Sequence, residues 1–138
     1  MAGAECAGHN HHWGDKMLNC VIVGLGGFAG SVLRYLAGKL PLGAASGFPV
    51  NTLIINVLGS FVIGILAALG SKYSDFDPRL MLLLKVGLCG GFTTFSTFSL
   101  ETFELIRAGS YGTAAGYAVL SAVLGVAAVL LAHVLVRA

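Results

Sequence analysis

Residues 90–99 read Gly90-Gly91-Phe92-Thr93-Thr94-Phe95-Ser96-Thr97-Phe98-Ser99. Two glycines followed by β-branched, hydroxyl and aromatic residues make a poor, interruptible helix. The stretch continues an apolar run that begins at Leu80. Within a bilayer, non-helical backbone is tolerated only where protein buries it or where it lines a cavity. The sequence therefore predicts a membrane helix with a break at Gly90 to Thr93, which would free carbonyl oxygens in the bilayer middle. Such oxygens suit a hard cation such as Na⁺. Beyond the break, Phe95 and Phe98 are three apart and share one helical face. Their rings present a positive edge to anything between them. Thr94 and Thr97, with Ser96 and Ser99, could supply a ladder of hydroxyl donors. A packing interface of small residues and aromatics would have the same composition, so this stretch alone leaves both readings open.

The rest of the chain agrees with a membrane setting. Of its 138 residues, 57% are hydrophobic and 10% charged, against roughly 25% charged in a soluble domain. Mean hydropathy is +0.88. Four apolar stretches, at residues 18–36, 50–69, 80–98 and 114–136, are each close to the ~20 residues that a membrane helix needs. The second and fourth have almost no polar face, which argues against a soluble helical core. The fold expected is an all-α membrane protein of four transmembrane helices, the third broken near its middle. Residues 1–16 read as a polar N-terminal extension or tag, and 17–138 as the four-helix domain. The first span is too long for a signal peptide and three more follow it. In the extension, Cys6, His9, His11 and His12 would permit a metal site, although a mobile tail is the simpler reading. Cys20 and Cys89 lie in apolar spans and read as packing residues.

Eight basic and six acidic residues give a net charge of +2, which is no footprint for nucleic acid. Four spans put both termini on one side, with Lys16, Lys72, Arg79 and Arg137. Arg34, Lys39 and Arg107 fall on the other. A clear basic bias normally fixes orientation, so this near-balance predicts insertion both ways round.

The 20 glycines call for a role of their own. Gly24-Leu25-Gly26-Gly27-Phe28-Ala29 matches a dinucleotide fingerprint only loosely, since no acid lies between Asp15 and Asp75. Close helix packing explains it better. Gly26 with Gly30, Ser60 with Gly64, Gly112 with Gly116, and Ser121 with Gly125 repeat the four-residue spacing that lets helices approach in lipid.

Asn56 is the only amide-bearing residue well inside a span. It is either glue between helices or a source of two N–H donors for an anion. Thr52 lies one turn earlier on the same face. Glu101 and Glu104 close the third helix, and acids at a helix C-terminus oppose its dipole, so Glu101 asks for a partner. Arg34 ends the first span, where it attracts anions or anchors the helix. Lys85 reads as reaching toward the interface, and His133 as near the end of the last helix. No Ser/His/acid set, metal-ligand spacing or phosphate loop occurs inside the spans, so an enzyme is not expected.

The residues quoted from Gly90 to Ser99, with Leu100-Glu101 after them, resemble the signature of the Fluc/CrcB fluoride channels. Gly26-Gly27-Phe28-Ala29-Gly30 to Arg34-Tyr35 is similar to that family's first-helix motif. Phe48-Pro49-Val50-Asn51-Thr52-Leu53 to Asn56, then Gly59-Ser60, is similar to its second. Asn51 and Gly125 depart from the pattern, which commonly has Gly and a hydroxyl residue there. The resemblance implies a fluoride-selective channel of the cell's inner membrane that exports cytoplasmic fluoride passively and gives fluoride resistance. It implies an antiparallel, dual-topology homodimer with two pores and one central structural Na⁺. Carried over by motif, backbone carbonyls of Gly90 and Thr93 would hold the Na⁺. Phe95 and Phe98 would be the pore phenylalanines and Asn56 the pore amide. Thr94, Ser96 and Thr97 would form a polar track, with Tyr117 and Ser121 beside it on the fourth helix. Arg34 and Glu101 would mark the aqueous ends. The alternatives are a small multidrug-type four-helix exporter, which would need an acid inside the membrane, and a non-transporting assembly subunit.

Overall fold

The computed structural model describes residues 5–43, 47–73 and 75–138, with side chains described from Trp13 onward. Among these residues are four helices long and apolar enough to cross a membrane. The first, α1, is Glu5–Gly38, and α2 is Val50–Lys72. The third span is divided. Its first part, α3, covers residues 78–92, in which Leu82–Cys89 takes the wider π-helical turn between α-helical Pro78–Met81 and Gly90–Phe92. Its second part, α4, is Phe95–Arg107, and α5 is Tyr111–Arg137.

Local chemistry sets these boundaries. Pro78 opens α3 at a position where its missing N–H costs nothing, and Asp77 accepts the Arg79 N–H at 2.8 Å. Thr94 caps α4 by accepting the Thr97 N–H at 3.1 Å. Gly109, at φ 76°, ends it, with the Ser110 N–H returning to the Leu105 carbonyl at 2.9 Å. The backbone of α1 is already helical from Glu5, well before residue 18, because no proline interrupts it and a continued helix satisfies its own N–H and C=O groups. Asp15 on this stretch pairs with Arg79 at 3.1 Å, but both side chains are exposed and the pair contributes little. The metal reading of Cys6, His9, His11 and His12 falls on side chains outside the described residues.

Two parallel helix pairs form the bundle. α1 runs along α3, and α2 along α5. A Cβ added at Gly26 would collide with the Leu83 carbonyl and lie 2.9 Å from Gly87 Cα. One at Gly30 would collide with the Leu88 carbonyl, and one at Gly91 would stand 2.9 Å from Gly27 Cα. The α1–α3 seam is therefore backbone against backbone, the geometry that small residues permit in lipid. Gly64 meets Val129 and Ala132, and Gly125 faces Ser60. The expected Gly112–Gly116 pair does not pack, because both look into open space.

The third span is broken, but not at the glycines. Gly90, at φ −63° and ψ −38°, and Gly91 are helical. The break is at Thr93 (φ −80°, ψ 159°) and Thr94 (φ −149°, ψ 118°). Gly91 is needed flat against α1, whereas β-branched residues accept extended backbone readily.

Candidate functional site

The break puts two backbone polar groups of Thr94 inside the bundle, and Asn56 of α2 meets both. The Thr94 N–H donates to Asn56 Oδ1 at 2.8 Å, and Asn56 Nδ2 donates to the Thr94 carbonyl at 3.1 Å. The side-chain amide thus bonds the extended residue as a neighbouring β-strand would. The reading of Asn56 as glue between helices describes this contact. The second Nδ2 proton is not used by it.

The same break diverts two amides. In an unbroken helix the Thr94 N–H would bond the Gly90 carbonyl, and the Thr97 N–H the Thr93 carbonyl. Here the first goes to Asn56 and the second to Thr94 Oγ1. The two carbonyls singled out for a cation are those relieved of their helical donors. Gly90 is exposed and Thr93 half-buried.

Thr94, 8% exposed, sits at the centre of the hydroxyl cluster. Its Oγ1 donates to Thr97 Oγ1 at 3.0 Å and lies 3.3 Å from Ser96 Oγ. On one side of it is a cavity of about 420 Å³, lined by Asn56, Thr93, Phe95, Phe98 and Ser121 among others, with no charged residue in its wall among the described residues. Ser121 Oγ is buried there without a partner among the described residues. Phe95 and Phe98 stand 5.6 Å apart by ring centroids. Phe98 also stands 5.2 Å from Tyr117, which is fully buried. Phe95 is 78% exposed, so half of this wall is open to whatever lies beside the chain.

On the other side of Thr94 is a cavity of about 530 Å³, where the charges gather: Arg34, Lys39 and Glu101, with Thr52, Asn51 and Thr97. Glu101 lies in mid-α4, not at a helix end, because that helix continues to Arg107. Its partners are two hydroxyls. Thr52 Oγ1 donates to Oε1 at 2.8 Å, and Tyr117 Oη donates to Oε2 at 2.7 Å. Arg34 Nε is buried, with no partner among the described residues. Asn51 straps the end of α1 to the start of α2, donating to the carbonyls of Gly38 and Leu40 at 3.0 and 2.8 Å.

The structure thus brings Asn56, Thr94, Phe95, Phe98 and Ser121 to the first cavity and Thr97, Arg34 and Glu101 to the second, while Ser96 reaches Thr94 and Tyr117 packs behind Phe98 without lining either. Sequence reasoning gave no role to Thr52, although its place one turn before Asn56 was the available signal. Asn51 and Phe48 carry no signal in the sequence beyond their place in a motif. Lys85 lies half-buried on the π-helical turn, away from both cavities.

Comparison with known proteins bears on this arrangement. Residues 21–133 match the family model described as CrcB-like protein, Camphor Resistance (CrcB). A protein of Azobacteroides pseudotrichonymphae named fluoride-specific ion channel FluC is 44% identical over 115 residues, covering 83% of this chain and 92% of its own. A protein of that name from Ruminiclostridium cellulolyticum is 51% identical over 98 residues, 68% of this chain and 73% of its own. Another, from Methylobacillus flagellatus, is 43% identical over 123 residues, 88% and 96% of the two chains.

Proposed function

The chain belongs to the CrcB-like family, and from that premise we propose that it is a fluoride-selective channel for passive export. Its channel domain is residues 17–138, with 1–16 an extension to it. The observation that carries the reading is the charge-free cavity beside the Thr93–Thr94 break. Fluoride is small and strongly hydrated, so a narrow path must replace its water without holding it too tightly. Neutral donors do this: the second Nδ2 proton of Asn56 and the hydroxyls of Ser121 and Thr97, the latter accepting from Thr94 and so keeping its own proton free. The edges of Phe95 and Phe98 add a weak positive field on the same path. Arg34 draws anions into the second cavity, whose wall also holds Glu101, bonded by Thr52 and Tyr117. In a cell, fluoride that enters as uncharged HF and ionises inside would leave by this route.

The working unit on this reading is an antiparallel homodimer in the inner membrane, with subunits inserted both ways round. Its support is the exposure of Gly90 and of Phe95 on a single chain, and the near-equal basic charge on the two sides. The Gly90 and Thr93 carbonyls suit a structural Na⁺, and a second copy would double the oxygens available to it. When bound, that ion would join two broken helices and offset repulsion among passing anions.

A multidrug-type exporter would need an acid in the middle of the membrane. The first three spans hold none there, since Glu101 falls in the last third of the Pro78–Arg107 span. Family membership argues against an exporter as well. The test is ion efflux from liposomes that contain the protein. Release of fluoride with retention of chloride is expected, and equal release of both would contradict selectivity.

A further inference from the structure

The segment that joins α1 to α2 carries an aromatic residue on an unusually fixed mount. Gly47 has φ 64°, a conformation that L side chains rarely adopt. Pro49, at φ −75° and ψ 65°, forms an inverse γ-turn, closed by the Val50 N–H on the Phe48 carbonyl at 2.8 Å. Phe48 is held between these two positions. Its ring meets Tyr117 edge to face, with centroids 5.5 Å apart and planes at 83°. Tyr117 is fully buried, with Phe98 at 5.2 Å and its hydroxyl 2.7 Å from Glu101. Phe98 in turn stands 5.6 Å from Phe95. The rings form one continuous series from the loop to the charge-free cavity. Phe48 and Glu101 also share the wall of a third cavity, of about 280 Å³, with Glu104 and Leu105.

We propose that Phe48 is a positioning residue for ion passage. Held against the Tyr117 ring, it fixes the angle at which the Tyr117 hydroxyl meets Glu101 and the rotamer that Phe98 presents to the cavity. Close-packed interiors transmit such constraints because a ring cannot tilt without a void to tilt into. Removing the Phe48 ring creates that void on one face of Tyr117. The inference rests on the channel reading above, and it adds a residue that lines neither of the cavities beside Thr94.

Fluoride efflux from liposomes at low protein density tests it. There the plateau counts vesicles with an active channel, and the initial slope reports the rate per channel. Phe48→Leu should lower the slope about two- to tenfold, the range that losing one aromatic pair implies, and leave the plateau unchanged. Phe48→Tyr, which keeps the ring, should restore the wild-type slope. The double variant Phe48→Leu/Tyr117→Leu should be no slower than Tyr117→Leu alone, because Phe48 acts only through the Tyr117 ring. A wild-type slope in Phe48→Leu, a loss confined to the plateau, or independent effects that multiply in the double variant would each overturn the inference. A wild type that releases no fluoride overturns the channel reading itself, and the inference with it.

Discussion

Gly91 and Thr94 lie three residues apart on one span and meet their neighbours in opposite ways. Gly91 stays helical, and a Cβ there would stand 2.9 Å from Gly27 Cα, so α1 and α3 touch along their backbones. Thr94 leaves the helix, and both its backbone polar groups are taken by the Asn56 side chain. The first contact is made of absent side chains and the second of one well-placed amide. The difference shows what sets a break inside a membrane. A glycine pair weakens a helix, but without water the chain opens only where another group takes up the freed N–H and C=O. Asn56 is that group, and it faces the threonines.

Substitutions at the two contacts separate these causes. Asn56→Leu should have the largest effect, leaving the Thr94 N–H and C=O buried and unpaired at roughly 1–3 kcal/mol each. Thermal unfolding in detergent should show the loss, and a wild-type melting temperature would mean that the break holds without its amide. Gly91→Ala comes next, about 1–3 kcal/mol, since the methyl meets backbone that cannot rotate away. Unchanged elution and stability would show that the glycine seam is looser than described. Thr94→Val keeps the β-branched shape but loses the cap on α4, a cost of about 1 kcal/mol that the same melts would register. Gly116→Ala serves as the contrast. That glycine is helical and has nothing within 4 Å of an added Cβ, so alanine should stabilise by roughly 0.5–1 kcal/mol. A drop in melting temperature would place an unseen neighbour there.

Four spans were legible because apolar runs of helical length, parted by short Gly- and Pro-marked loops, leave few other arrangements. That the third span breaks was legible from residues 90–99, where weak helix formers gather. Where it breaks was not, because local propensity favours Gly90-Gly91 and the deciding partner, Asn56, is 38 residues from Thr94. The same limit hid the partners of Glu101. Its need for one could be argued from an acid set toward the end of a membrane span, but Thr52 and Tyr117 reach it from two other helices. The four-residue spacing of small residues found the seam at Gly26 and Gly30 and misled at Gly112 and Gly116. Spacing names a helix face without saying what stands opposite it.

On the channel reading, an anion passes the break between neutral donors and the paired phenylalanines. Fluoride efflux from liposomes bearing Phe95→Ile or Phe98→Ile, measured beside wild type, addresses it most directly. Either substitution should cut the flux sharply while the protein elutes from a sizing column as wild type does. Normal flux in both variants would contradict the account.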